Sequence, residues 1–172
     1  VELIRAHDLP RECIPTQWLT EAAVWDALLE KMPLHAMVRN LATMTRVGLL
    51  KPMSAATATV IARLGDAARI VKARVHPIAL LSAQKTYQAG HGARGQHTWT
   101  PVGQVVDALD DAFYAAFKAV EPAGKRTLLA LDVSGSMDSG AVAGVPGLTP
   151  RVKAIMAVLI LYRTETTWPG LL

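Results

Sequence analysis

Cysteine is almost missing from this chain: Cys13 is the only one in 172 residues. That excludes an intrachain disulfide framework and a cysteine-rich zinc site, and it fits a reducing compartment, so a cytoplasmic location is expected. Cys13 itself reads as a small core residue rather than a reactive thiol. Long apolar runs are missing too. The longest, Val152 to Tyr162, is interrupted by Lys153 and falls short of the ~18 residues a membrane span needs, so the chain reads as soluble with no membrane partner. No initiator methionine and no basic-then-apolar leader opens the sequence, which reads as an excised or processed piece with no export implied. Acid is scarce where base is plentiful. From Arg39 to Arg94 the basic residues are Arg39, Arg46, Lys51, Arg63, Arg69, Lys72, Arg74, Lys85 and Arg94, while Asp66 is the sole acid; the acids gather at Glu2 to Glu30 and Asp107 to Glu121.

What is present is apolar and basic. Hydrophobic residues make up 51% of the chain, the mean hydropathy is +0.25 and the pI is near 9.5. That is apolar for a self-contained soluble protein, and a missing partner surface would explain it. A segment with so uneven a charge balance sets up a positive field that attracts polyanions, of which nucleic acid is the commonest; the alternative is a solvated helix face.

Up to Pro122 the periodicity is helical. Glu21 to Met32 puts Val24, Trp25, Leu28, Leu29 and Met32 on one face. Pro33 opens the next helix, with Leu34, Met37, Val38, Leu41 and Met44 as its stripe and Gly48 as its stop. Ser54 can cap a third helix ending at Gly65, and a short basic helix spans Ala67 to Arg74. His76-Pro77 opens another, before a glycine-rich break from Gly90 to Gly95. Thr100-Pro101 starts a long helix with Val102, Val105, Val106, Leu109, Phe113, Phe117 and Val120 on its stripe, closed by Pro122. Amphipathic helices in series, each needing neighbours, point to an α-solenoid, although no clean internal period is visible.

After Glu121 the pattern changes, which marks a boundary between residues 1–122 and 123–172. Thr127 to Val133 is a short continuous apolar run that fits a central parallel strand. It leads into Asp132-Val-Ser134-Gly-Ser136, then a loop rich in glycine and serine, then a helix capped by Thr149-Pro150 and carrying Val152, Ile155, Met156, Leu159 and Tyr162. Strand, ligand loop and helix are the opening unit of a doubly wound α/β domain, too small to bury a core alone. One carboxylate and two hydroxyls at alternating positions supply three oxygen ligands for a hard cation such as Mg²⁺, so Asp132, Ser134 and Ser136 are the candidate metal ligands. The alternative is a serine-rich turn with Asp132 capping the strand.

These residues carry a family resemblance. Asp132-Val-Ser134-Gly-Ser136 after an apolar run resembles the metal-ion-dependent adhesion site of von Willebrand factor A domains. Tyr87-Gln-Ala-Gly90-His91-Gly92-Ala-Arg94-Gly95, Ala108-Leu-Asp-Asp-Ala-Phe113-Tyr114 and Val120-Glu121-Pro122-Ala-Gly124-Lys125-Arg126 look like the TROVE module of the Ro/SS-A ribonucleoprotein family, and Met32-Pro33-Leu34, Arg39-Asn40-Leu41 and Ala73-Arg74-Val75-His76-Pro77 extend the likeness through most of the chain. The resemblance implies a ring of HEAT-like helical repeats closed by an A domain, binding small Y-type RNAs outside the ring and ends of misfolded RNAs through its hole, with no catalysis. It also implies that the metal site is completed by a threonine and an aspartate from later loops, which this sequence does not reach, so the site is incomplete here. Thr166-Thr-Trp168-Pro169-Gly170 departs from the family's second strand.

Enzymatic readings do poorly. A haloacid-dehalogenase-type phosphatase needs a second acid where Ser134 stands, neither Ser134 nor Ser136 has the flanks of a hydrolase elbow, and Gly140 to Gly147 is not followed by the Lys-Ser/Thr of a phosphate loop. Arg63, Arg69, Lys72 and Arg74 are expected to neutralise RNA phosphates. His91 and Arg94 could contact phosphate or stack on an unpaired base, or simply lie in a connector whose glycines serve sharp turns. His76 reads as a helix cap or core-edge residue, His35 and His97 carry no signal, and Trp18, Trp25 and Trp99 read as core or interface anchors. The expected function is RNA binding with a partial Mg²⁺ site. The competing expectations are a metal-dependent module that captures a protein partner at the cation loop, and a fragment with no activity of its own.

Overall fold

The computed structural model describes residues 1–92, 96–121, 128 and 130–164, the last four as helix backbone only. Eight α-helices appear among them: α1 (Glu2–His7), α2 (Ala22–Lys31), α3 (Leu34–Arg46), α4 (Ala55–Gly65), α5 (Ala67–Lys72), α6 (Pro77–Ala89), α7 (Gly103–Ala116) and α8 (Pro150–Thr164). The helix boundaries follow local chemistry. Ser54 accepts a hydrogen bond from the Thr57 amide at the start of α4, Asp66 does the same for the Arg69 amide at the start of α5, and the His76 ring accepts from Ile78 N–H just ahead of Pro77. Each satisfies one of the amides that a helix's first turn leaves without an internal partner.

Helix α7 is the hub: it packs against α6, α4 and α5, while α3 packs on α6 and α1 on α2. Close approach is possible because Ala108, Ala112 and Ala116, spaced four apart on one ridge of α7, are buried. The same core holds Trp25, Met37, Leu41, Met44, Val60, Leu64, Ile70, Leu80 and Leu109, all almost completely inaccessible. The predominantly helical architecture expected from the periodicity is what forms.

Several expectations are corrected. Helix α7 begins at Gly103 and not at Thr100-Pro101. The Trp99 amide is tied to Gly90 O and the Val102 amide to the Tyr87 hydroxyl, which pins the preceding residues outside the helix. Its far end tightens into a 3₁₀ turn, Phe117–Ala119, and Val120 is extended, so it does not run to Pro122. Cys13 ends a 3₁₀ turn, Arg11–Cys13, and is exposed, as is Trp18 at 56%. Trp25 and Trp99 do serve as anchors, Trp25 donating to Leu19 O and Trp99 to Tyr87 O.

The expected strand over 127–133 is also absent from the described part of that run. Leu128 is 94% exposed and Val133 77%, and no strand is found among the described residues. A parallel strand needs a neighbour to take up its N–H and C=O groups, and the described residues offer none. Thr127 and Leu129 lie outside the described residues. The helix expected after Thr149-Pro150 does form as α8. It packs against the 3₁₀ turn Gly135–Asp138 and the end of α7, and places Met156 in the common core. Among the described residues no helix is long and apolar enough to cross a membrane.

Candidate nucleic-acid interface and cation loop

The structure sorts the basic residues by whether the fold already uses them. Arg5 pairs with Asp26 and Glu30, Lys31 with Asp8, and Arg151 with Asp138. Arg63, one of the expected phosphate contacts, has an internal role: its guanidinium donates to Leu29 O and Glu30 O, both at 2.6 Å, and reaches Met32 O at 3.4 Å. Those carbonyls lie at or just past the carboxyl end of α2, where Leu29 O accepts only the Met32 amide besides, and a planar fork of donors fits two of them at once. Arg69 faces Asp66 at 3.6 Å, an exposed pair of little strength. Lys72 and Arg74 are exposed and make no side-chain hydrogen bond or ion pair among the described residues.

Lys72 and Arg74 flank Ala73 in the sharp turn from α5 to α6, where Arg74 adopts the left-handed conformation with φ 50°. That turn is fastened to α3: the His35 Nε2–H donates to Ala73 O at 2.9 Å. One helical turn further along α3, Arg39 donates its Nε to His35 O at 3.3 Å. His35 and Arg39 were missed in the sequence because nothing local marks them; the only signal was the basic excess between 39 and 94. The tertiary turn brings Arg39, His35, Lys72 and Arg74 into one neighbourhood.

The glycine-rich break is shaped by a different network. The Tyr87 hydroxyl accepts from Val102 N–H and shares a 2.8 Å hydrogen bond with Thr45 Oγ1. Because Thr45 donates to Leu41 O, the proton in that bond belongs to Tyr87. Tyr87 and Trp99 stack with ring centroids 6.4 Å apart. Gly90 closes α6 at φ +72°, with Trp99 O 2.9 Å from where a Cβ would stand. His91 is exposed and forms an isolated antiparallel bridge with Thr98, its Nδ1 3.2 Å from Gly92 O. Arg94 lies outside the described residues.

The cation-loop residues are brought together on the surface. Asp132 Oδ1 accepts the Ser134 amide at 2.8 Å, and the Ser134 and Ser136 hydroxyls lie 2.9 Å apart. The Ser134 hydrogen bonds, backbone first, hold the Asp132 carboxyl below its ordinary range, with a further lowering from Arg151. Arg151, unnoticed in the sequence, buttresses the loop from α8 by donating to Val133 O and Ser134 O. Its charge is shared with Asp138 at 2.9 Å. No group of three histidine, cysteine or carboxylate residues suited to a metal occurs among the described residues, so any cation here would rely on hydroxyls and water beside one carboxylate.

Known proteins decide the family. The TROVE domain model matches residues 7–87. RNA-binding protein RO60 of Deinococcus radiodurans is 48% identical over 95% of this chain, and RNA-binding protein RO60 of Caenorhabditis elegans is 45% identical over 81%. The chain belongs to the TROVE-domain family. The crystal structure of the Deinococcus radiodurans RO (RSR) protein superposes on it with a TM-score of 0.89 at 48% identity over 95% of the chain. This TROVE-domain chain spans only 31% and 22% of the two RO60 relatives and 33% of the solved chain.

Proposed function

We propose that this chain binds RNA through the face where α3 meets the α5–α6 turn, with Arg39, Lys72 and Arg74 neutralising phosphates and Arg69 assisting. One observation carries the reading: within the basic stretch these cations keep donors free, whereas Arg63 is consumed by carbonyls, and Arg5, Lys31 and Arg151 by carboxylates. Asp66 lies beside Arg69 and Glu121 lines the same hollow as Arg74, but neither pairs with Lys72 or Arg74, and an unpaired surface cation is available to a polyanion. The RNA-binding relatives support the same reading. We take the RNA to be a small structured non-coding molecule of the Y type or a misfolded one, recognised by shape more than by base edges, with no catalytic step. A reducing, cytoplasmic location goes with it, since Cys13 stands exposed as a free thiol.

Salt titration tests the proposal. Each phosphate neutralised contributes about −0.7 to −0.9 to the slope of log K against log salt. The Lys72→Gln, Arg74→Gln pair is expected to flatten the slope by about 1.5. An affinity for structured RNA that does not change with ionic strength would refute the reading.

A second reading is favoured by one distance. The cis oxygens of a Mg²⁺ octahedron with bonds of ~2.1 Å are ~3 Å apart, and the Ser134 and Ser136 hydroxyls lie 2.9 Å apart. Asp132, Ser134 and Ser136, helped by water, would then hold a divalent cation, and an acidic side chain of a protein partner would complete its shell. The group would supply Lewis acidity for capture and nothing more. EDTA separates the two: partner capture is lost, while phosphate neutralisation by the helices persists.

A further inference from the structure

We propose that His35 is a positioning and proton-sensing residue of the basic face: its ring fixes the α5–α6 turn that carries Lys72 and Arg74, and its protonation adds a further positive charge beside them. The inference rests on the RNA reading above and adds to it the residue that sets how binding depends on pH. His35 lies on the first turn of α3, and Arg39, four residues on, shares its face. Both are exposed.

The positioning follows from one hydrogen bond. Arg74 stands at φ 50°, a left-handed conformation that residues other than glycine rarely adopt. Two amide bonds hold the turn from within, Arg74 N–H to Val71 O at 3.0 Å and Val75 N–H to Ile70 O at 3.3 Å. A hold from another helix comes from His35, whose Nε2–H reaches Ala73 O at 2.9 Å. That carbonyl belongs to the peptide leading into Arg74, so pinning its plane pins the direction in which Arg74 leaves the turn.

The same bond decides where a second proton goes. A carbonyl only accepts, so Nε2 carries a hydrogen, and Nδ1 makes no hydrogen bond among the described residues. Protonation at Nδ1 therefore changes the charge of the ring without releasing the turn. Histidine is the side chain suited to such a change between pH 5 and pH 8. His76 behaves in the opposite way, because its Nδ1 accepts from Ile78 N–H and a proton there would displace the cap of α6.

The charged and titratable groups around the ring are Arg39 on α3, Lys72 and Arg74 on the turn, and the Tyr87 phenol on α6, with His76 and Glu121 in the hollow that Arg74 lines. Three neighbouring cations repel a further positive charge. A phosphate among them offsets that repulsion, so proton uptake and RNA binding reinforce each other.

The test measures binding of a structured hairpin RNA to the 172-residue chain by fluorescence anisotropy at pH 8 and pH 5.5. One added surface charge predicts a gain of about 1.5- to 5-fold at pH 5.5, with the slope of log K against log salt steeper by about 0.7 to 0.9. His35→Gln, whose side-chain amide still donates to Ala73 O, should keep the affinity at pH 8 and lose the gain. His35→Ala should weaken binding at both pH values, because the turn is released. His76→Asn, which retains a good helix cap, should keep the gain. Without RNA, and with no variant needed, the Arg74 amide resonance should follow the titration of the His35 ring, and the neutral ring should carry its hydrogen on Nε2. A gain that survives His35→Gln, an affinity untouched by His35→Ala, or a neutral ring with its hydrogen on Nδ1 overturns the inference while leaving the RNA reading intact. If the unaltered chain binds no RNA at either pH, the RNA reading itself fails and this inference with it.

Discussion

Arg63→Met separates structural arginines from RNA-facing ones. The substitution keeps an apolar stem and removes the guanidinium that joins α4 to the end of α2 through Leu29 O and Glu30 O, both at 2.6 Å. Hydrogen bonds from a charged donor contribute about 1.5–3 kcal/mol each. The site is half-buried, so water replaces part of what is lost, and the lower bound for two bonds, about 3 kcal/mol, is the expected cost. For a domain of this size that corresponds to a fall in Tm of about 6–12 °C. Burial first, and then the charge of Arg69, holds the Arg63 pKa below its ordinary value, yet arginine stays charged at any working pH, so the loss should be the same from pH 5 to pH 8. Arg63→Lys should recover little, because one ammonium cannot reproduce a planar fork across two carbonyls. The assay is a circular-dichroism melt run beside a salt titration of RNA binding. An unchanged Tm together with a flatter salt slope would refute the reasoning, because it would put Arg63 on phosphate and not on α2.

Other outcomes follow from the same geometry. Tyr87→Phe removes the acceptor for the buried Val102 amide and should cost about 1–3 kcal/mol in a denaturant titration, since that N–H is left without a partner. Gly90→Ala should destabilise by at least about 1 kcal/mol, because the residue sits at φ +72° and the new Cβ would meet Trp99 O at 2.9 Å; a neutral result in a thermal melt would contradict the tight turn. The Asp132 carboxyl is held below its ordinary range, so the contact it makes with the Ser134 amide is present above that range and is lost as pH falls through the lowered value. The Ser134 amide resonance should therefore titrate at a lower pH than a carboxylate without such a hydrogen bond, and a midpoint at the ordinary value would contradict the hydrogen bond. Asp132→Asn should abolish any Mg²⁺ binding detected by calorimetry and leave RNA affinity unchanged.

The legible parts of the molecule were those set by near neighbours. The Ser54 cap, the His76-Pro77 start and the Thr149-Pro150 start act within three residues, and each lies where the sequence placed it. The stripe of α7 was read correctly at Val105, Leu109 and Phe113, but its alanine ridge was not, because a small residue signals close packing only when the opposing helix is known. The run before Asp132 has the composition of a buried strand, and composition cannot supply the strands it must pair with. Among the candidate site residues, Lys72 and Arg74 are as exposed as a phosphate contact requires, while Arg63 is not free.

From its order of residues alone, this chain determined a helical array, its capping points, a basic middle segment and a loop of hydroxyls beside one carboxylate, all of which depend on spacing and charge along the chain. Only the tertiary structure decided which cations remain available. The contact of Arg63 with α2 spans more than thirty residues, and that of His35 with Ala73 spans 38. Whether a charge meets a carbonyl, a carboxylate or open solvent depends on which helices pack side by side, and that is a property of the folded core.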